Sequence, residues 1–342
     1  MKALVLKEYR HLEIQDVPPP DPAEDEVLIR VKVCGICGSD VHGMDGSTGR
    51  RIPPIIMGHE AAGVVERIGA KVTGVAPGDR VTFDSTIYCG RCRFCLRGRV
   101  NLCENRRVLG VSCGEYRRHG AFAEWVTVPG HIVYRIPDAV TFEQAALIEP
   151  LSVAVHAVDR VRPRLGDAAV VVGGGMIGQL VAQAARVAGC GEIVVIEPDE
   201  YRRELACKLG AAAAWSPAEA SPQRLSERLG GPLAEIVFDA VGTAESLALA
   251  LSLLEKGGTC GLVGNLAPQV PLPLQATVTR EYSLLGCCAS QADYPRCLNL
   301  LAGGGISVDP LISRTAPLDE GPKWFDILYH RREPLMKVLL AP

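Results

Sequence analysis

The chain has 342 residues, 48% of them hydrophobic and 22% charged, with a formal net charge of -3. That apolar content excludes a disordered chain, and the absence of a glycine period excludes a collagen-like one. The slight acidity argues against a general affinity for nucleic acid or anionic membrane, and no apolar run reaches the roughly 20 residues of a membrane helix. The opening Met1-Lys2-Ala3-Leu4-Val5-Leu6-Lys7 is charged too early for a signal peptide, so the cytoplasm is the default location.

The length suggests about two domains. Residues 1–35 alternate apolar and polar in short runs, as in Val27-Leu28-Ile29-Arg30-Val31-Lys32-Val33, and prolines punctuate them. This reads as antiparallel β-structure. Further strands are expected at Ala61–Ile68, Arg80–Phe83 and Ala123–Val128. Near residue 150 the pattern changes. Ala168–Val172 is a continuous apolar, β-branched run that suits a buried parallel strand, with a helix after it to about Ala188. A strand at Ile193–Ile196, a helix at Glu200–Leu209, a strand at Ile236–Phe238, a helix at Ala244–Leu254 and a strand at Thr259–Val263 continue the alternation. Such repetition argues for an α/β, doubly wound parallel sheet. Beyond about 285 the character is mixed and ends in the strand-like Met336–Leu340.

Gly173-Gly174-Gly175-Met176-Ile177-Gly178 follows the first of these parallel strands. The G-x-G-x-x-G pattern is weak alone. Here it opens a helix and is answered by Glu197 at the end of the next strand, the context of a dinucleotide site. Gly173 permits the tight turn, Gly175 the close approach of pyrophosphate, and Gly178 the packing of helix on strand, while the helix N-terminus meets the negative charge. Glu197 suits the adenosine ribose hydroxyls and would repel a 2′-phosphate, which favours NAD over NADP; Arg202 and Arg203 weigh against that preference. Val263 and Gly264 are counted with the nucleotide contacts.

Cysteine usage carries a second signal. Cys89-x2-Cys92-x2-Cys95-x7-Cys103 gathers four soft donors in a turn-rich loop, which suits a closed, structural tetrahedral zinc. An iron–sulfur cluster and unliganded thiols are the alternatives, and the last spacing does not match the ferredoxin runs. The loop is rich in arginine (Arg91, Arg93, Arg97, Arg99, Arg106, Arg107), which reads as a solvated or subunit-contacting face, with a nucleic-acid-binding zinc module as the sharper alternative. The seven scattered cysteines, Cys113, Cys190, Cys207, Cys260, Cys287, Cys288 and Cys297, read as small buried hydrophobes.

A further set of metal donors is dispersed: Cys37 in Gly35-Ile36-Cys37-Gly38-Ser39-Asp40-Val41-His42, His59 and Glu60 after Gly58, and Glu149 in Glu149-Pro150-Leu151-Ser152. From spacing alone His59 reads first as a satisfied structural histidine. Together with Pro77-Gly78-Asp79-Arg80-Val81 and the glycine fingerprint, however, these motifs resemble the zinc-containing medium-chain alcohol dehydrogenases over essentially the whole chain, and most the sorbitol (L-iditol) or polyol dehydrogenase branch. The resemblance implies a GroES-like β catalytic domain over 1–150 and 285–342, with a structural zinc lobe at about 85–115, and a Rossmann NAD-binding domain over 151–284, the active site lying between them.

The resemblance also implies residue roles. Cys37, His59 and Glu60 become ligands of a catalytic zinc, with Glu149 beside it, ligating it or holding its water; Cys34 is a non-ligand. Zinc lowers the pKa of an alcohol, Ser39 takes the hydroxyl proton, His42 passes it towards solvent, and the hydride goes to NAD. A homodimer or homotetramer is implied. L-threonine 3-dehydrogenase activity is the runner-up, and a zinc-free reductase of the same fold is a further alternative. The tyrosine that follows the histidine in animal sorbitol dehydrogenases is Gly43 here, and their late arginine–tyrosine pair aligns with Ala289-Ser290. Arg50-Arg51 suggests a phosphorylated polyol as a possible substrate.

Overall fold

The alternating run near the N-terminus forms the strand Glu26–Gly35, with Arg30 and Lys32 turned outward and the apolar positions buried. It is the hub of a seven-stranded sheet. In order the sheet runs Val133–Arg135, Arg80–Phe83, Glu60–Ile68, Glu26–Gly35, Lys337–Ala341 and Ile312–Pro317, and Trp125–Pro129 also pairs with the hub. Leu4, Ile29, Phe83, Phe122, Phe325 and Leu340 lie in the core on this sheet. Gly35 pairs with Glu60 across the antiparallel ladder, and Leu339 with Gly35 on the other side. Those two registers bring the end of the hub strand and the starts of its two neighbours to a common edge.

The second sheet has six strands in the order Ala213–Trp215, Ile193–Ile196, Ala169–Val172, Ala234–Asp239, Leu254–Leu262 and Ser283–Gly286, all parallel. Numbered along the chain this is 3-2-1-4-5-6, the Rossmann order. Val170, Val194, Val237, Leu247 and Leu254 fill its core. The computed structural model describes residues 1–342, and they divide into Met1–Glu149 with Ser290–Gly304 and Val308–Pro342, and Pro150–Ala289 with Gly305–Ser307. No helix is long and apolar enough to cross a membrane.

Several expectations shift. The strand expected at Thr259–Val263 is Leu254–Leu262, and the preceding helix stops at Ser252. Gly257 and Gly258 carry no side-chain pattern, so the early part of that strand is not readable from hydropathy. Ala213–Trp215 and the helix Pro222–Leu229 were not expected. The helix did carry signals: Ser221 caps it, Pro222 opens it, and Gly230 closes it at φ 66°. Among the scattered cysteines Cys190, Cys260 and Cys297 are buried; Cys113 and Cys287 are half-buried, and Cys207 and Cys288 are exposed. Burial thus fits only three of those seven.

The short helix Phe142–Ala146 leads into the helix Ile148–Val161 that carries Glu149. Thr141 Oγ1 accepts from the Gln144 amide at 3.1 Å, and Gln144 Oε1 accepts from the Thr141 amide at 3.0 Å, a reciprocal capping box. Thr141→Ala is expected to cost about 1 kcal/mol. A lowered urea midpoint with an unchanged m value is the reading that checks it.

Candidate active site

Cys37 caps the helix Gly38–Gly43 directly after the hub strand, so Ser39, Asp40 and His42 all follow it within two turns. Glu60 opens the neighbouring strand and His59 immediately precedes it. Gly58, at φ 94°, makes the turn before them, and a Cβ there would lie 2.8 Å from Cys34 Sγ and 2.9 Å from Phe122. The Cys37, His59 and Glu60 ligand atoms lie within 4.8 Å of one another. A thiol, an imidazole and a carboxylate with no fourth protein donor in the group fit a zinc site that keeps an open position. Cys34 is buried and stands outside this group. Glu149 is also outside it, and its Oε1 accepts from Ser85 Oγ at 2.8 Å. Burial raises the Glu149 carboxyl above its ordinary value, against the nearby positive influence of His59.

Each charged group here has a fixed partner. Asp40 is fully buried; its Oδ1 accepts from Arg51 Nη2 at 2.8 Å, and its Oδ2 lies 3.5 Å from His59 Nδ1. Burial would raise the Asp40 carboxyl, but His59 and Arg51 outweigh it and hold it well below the usual range. Arg51 is therefore not free to hold a substrate phosphate, which corrects the paired-arginine expectation; Arg50 alone is exposed. Glu60 Oε2 forms an ion pair with Lys337 Nζ, which also donates to the Ile36 carbonyl at 3.1 Å. Burial would lower the Lys337 ammonium, but the Glu60 charge prevails and raises it. Sequence reasoning missed Lys337. Its signal was a lysine opening an otherwise apolar strand, Lys337–Ala341.

Ser39 is exposed and its Oγ donates to Cys37 Sγ at 3.3 Å. His42 is exposed three residues on, one helical turn away. Both therefore stand at the solvent side of the three candidate ligands.

The four cysteines Cys89, Cys92, Cys95 and Cys103 also gather within 4.8 Å. Cys103 Sγ accepts from the backbone amides of Cys89 at 3.2 Å and Asn105 at 3.3 Å, the kind of outer hydrogen bonding that orients metal thiolates. The backbone amide of Arg91 draws the Cys89 thiol down, while burial pushes those of Cys95 and Cys103 up. All four are free thiols and fit a closed tetrahedral zinc. In the surrounding loop Arg91, Arg97 and Arg99 are solvated, and Arg93 pairs with Glu104 at 2.9 Å.

In the Rossmann unit Gly173 takes φ 100° after its strand, and Gly175 caps the helix Met176–Val187. A Cβ on Gly178 would lie 1.7 Å from the Gly173 carbonyl oxygen, so only glycine lets helix and turn meet. Met176 and Ile177 form the helix's first turn, whose free amides suit a pyrophosphate. Glu197 accepts from the Gly174 amide at 2.7 Å and the Asp199 amide at 3.0 Å, one on each carboxylate oxygen. The two arginines differ: Arg203 donates to the Glu197 and Pro198 carbonyls, while Arg202 Nη1 reaches to 4.0 Å of the point where a Gly175 Cβ would lie. Val263 and Gly264 donate their amides to the Asp239 carbonyl, each at 2.9 Å.

Gln179 was missed. It is fully buried, and its amide donates to the Gly174 carbonyl at 3.0 Å and the Arg202 carbonyl at 2.9 Å. It thereby ties the glycine turn to the helix that carries Arg202. Gln179→Leu is expected to weaken NADH binding about tenfold, the equivalent of one hydrogen bond at about 1.4 kcal/mol. Titration by protein fluorescence checks it, and an unchanged Kd counts against the role.

Asp84 is buried in the first unit, with Oδ1 accepting from the Thr86 amide at 2.8 Å. Burial pushes its carboxyl from 3.8 up to about 7, and Glu149 adds to the rise. Because the folded value is the higher one, stability from the neutral carboxyl is complete below about pH 4 and lost as pH rises through about 7. Asp84→Asn is expected to exceed the parent in stability near pH 8 and to lose that advantage towards pH 4, as urea unfolding at each pH would read.

Two family models match the chain: an alcohol dehydrogenase GroES-like domain over residues 23–138 and a zinc-binding dehydrogenase domain over 176–303. A sorbitol dehydrogenase of Bacillus subtilis is 30% identical, covering 100% of this chain and 97% of its own length. A sorbitol dehydrogenase of Pongo abelii is 33% identical, covering 95% of this chain and 91% of its own. The crystal structure of galactitol-1-phosphate dehydrogenase from Escherichia coli superposes with a TM-score of 0.90 at 25% identity, each chain covered in full at 100%. With its Rossmann strand order, its glycine turn and its two clusters of metal donors, the chain belongs to the zinc-containing medium-chain alcohol dehydrogenases, oxidoreductases that use a nicotinamide cofactor.

Proposed function

We propose that the protein oxidises a secondary alcohol of a polyol or sugar alcohol to the ketone. NAD is the hydride acceptor, and each chain carries two zinc ions, one at Cys37, His59 and Glu60 and one at the four cysteines. The carrying observation is the mutual approach of those three donors, with the exposed Ser39 hydroxyl 3.3 Å from Cys37 Sγ. When bound, zinc supplies a Lewis acid that makes a hydroxyl more acidic, and the nicotinamide supplies the acceptor for hydride.

The chain's own groups do the rest. Ser39 accepts the substrate hydroxyl proton at Oγ and gives up its own, and His42, exposed on the same helical face, carries the proton to solvent. The carbinol hydrogen leaves as hydride, so one proton and one reduced nicotinamide are produced per ketone. Lys337 holds Glu60 in place, and Glu149 is held by Ser85 beside the donors. Glu197 keeps a free lone pair on each oxygen for a ribose hydroxyl, and its charge disfavours a 2′-phosphate. With Arg51 committed to Asp40, an uncharged polyol fits better than a phosphorylated one. The assembly we propose is a homodimer or homotetramer.

The test is NADH formation from NAD with a panel of polyols, polyol phosphates and L-threonine, with and without prior chelation, alongside metal analysis. Chelator-sensitive turnover of a polyol with two zinc ions per chain is expected. Turnover of L-threonine alone would move the protein to threonine oxidation. Turnover that survives complete removal of the active-site metal would overturn the zinc mechanism.

A further inference from the structure

Arg51 does more than neutralise Asp40. It is 4% exposed, and its polar atoms are distributed over three partners. Nε and Nη2 donate to Asp40 Oδ1 at 3.2 and 2.8 Å, Nη1 donates to the Arg50 carbonyl at 3.0 Å, and Nη2 donates to Ser39 Oγ at 3.4 Å. Two short chains therefore leave one guanidinium and end on two of the candidate ligands. One runs through Asp40 to His59, and the other through Ser39 to Cys37.

The backbone around Arg51 is fixed as well. Arg51 bridges Ser112, the Ser112 amide donates to the Arg50 carbonyl at 3.2 Å, and the Ile52 amide donates to the Ser112 carbonyl at 3.0 Å. The stem passes over Gly43. A Cβ at that position would lie 2.5 Å from Arg51 Cγ, close to the backbone end of the side chain, where it has little room to give. The small residue next to His42 thus leaves the space that the arginine occupies.

The chemistry of the group sets its effect. A guanidinium donates and never accepts, and it stays charged throughout the working pH range. Ser39 Oγ must turn a lone pair towards it. That excludes the rotamer in which the hydroxyl hydrogen points at Arg51, and leaves the remaining lone pair for an incoming hydroxyl. At the same time the fork on Asp40 Oδ1 fixes the carboxylate whose other oxygen faces His59 Nδ1, the arrangement that orients a histidine ligand.

We propose that Arg51 is a positioning residue of the dehydrogenation, setting the direction of the Ser39 hydroxyl and the orientation of His59, and that Gly43 is the residue that admits it. This rests on the polyol dehydrogenase reading above. It also makes Arg50–Arg51 unlike a phosphate anchor, since only Arg50 has donors to spare.

The test uses the zinc-loaded protein and three variants, with two readouts. The first is kcat and KM for the polyol and for NAD. The second is the rate at which zinc passes to a chromophoric chelator, with the four-cysteine site as an internal reference. Arg51→Gln is expected to release the active-site zinc about tenfold faster and to lower kcat about tenfold, with the KM for NAD within about twofold. Arg51→Lys restores the charge beside Asp40 but has no fork to span Asp40 and Ser39. It is expected to recover zinc retention and not kcat. Gly43→Ala keeps the guanidinium and displaces its stem, so it should repeat the Arg51→Gln result even if that variant fails to fold. Values within about twofold of the parent in both readouts for Gly43→Ala and Arg51→Gln would overturn the assignment, as would faster release from both zinc sites together, the mark of a merely structural residue. A parent protein inactive on every polyol would defeat the functional reading, while unchanged zinc release in both Arg51→Gln and Gly43→Ala would defeat this one.

Discussion

Buried charge is the constraint on which the catalytic unit depends. Asp40, Glu60, Arg51, His59 and Lys337 are each at most 5% exposed. An isolated ion at such depth costs several kcal/mol after relaxation, so each must meet a partner at fixed geometry. The sheet supplies the geometry. The register that sets Gly35 opposite Glu60 leaves no room for a side chain at 35, where a Cβ would fall 2.5 Å from Glu60 Oε2. The adjoining strand then delivers Lys337 to that same carboxylate from the far end of the sequence. Cysteine and histidine donors are thereby held among compensated charges, and the group that remains open to solvent is the helix face carrying Ser39 and His42.

The nucleotide unit answers the same problem with backbone in place of side-chain ions. Glu197 is buried, yet each of its oxygens accepts a backbone amide, from Gly174 and Asp199, without consuming an arginine. Gln179 takes the Gly174 carbonyl on the opposite side. One glycine is thus gripped at both its amide and its carbonyl, and its missing side chain is what allows it, since a Cβ there would lie 2.8 Å from Glu197 Cβ. The loop is thus tied down by hydrogen bonds at the turn, the kind of preorganisation that lowers the ordering that binding must supply.

Legibility from sequence followed the range of the interaction. The four cysteines lie within fifteen residues, and their spacing alone pointed to a tetrahedral metal. The glycine turn and Glu197 are joined by one strand–helix–strand unit and were equally plain. The strand–helix alternation of the Rossmann unit was readable, but its fifth strand was cut short because glycines carry no hydropathy pattern. Cys37, His59 and Glu60 became a group only through family resemblance, since their approach depends on strand register. Lys337 stood out as a lysine in an apolar strand, but its partner Glu60, 277 residues away, could not be read. Arg51 was seen as a free cation because nothing local shows that Asp40, eleven residues earlier, would be buried against it.

That last case shows how a missing side chain can admit a charged one from another part of the chain. Gly43 puts no side chain after His42, and the space is filled by the stem of Arg51, which enters from the following loop. The charge so introduced lies within hydrogen-bond reach of both the serine that faces solvent and the aspartate behind the histidine. A guanidinium placed there would draw substrate anions only if Asp40 did not already take it up. With Asp40 present its field is largely spent inside the protein, and what it contributes is direction: it fixes which lone pair of Ser39 is free.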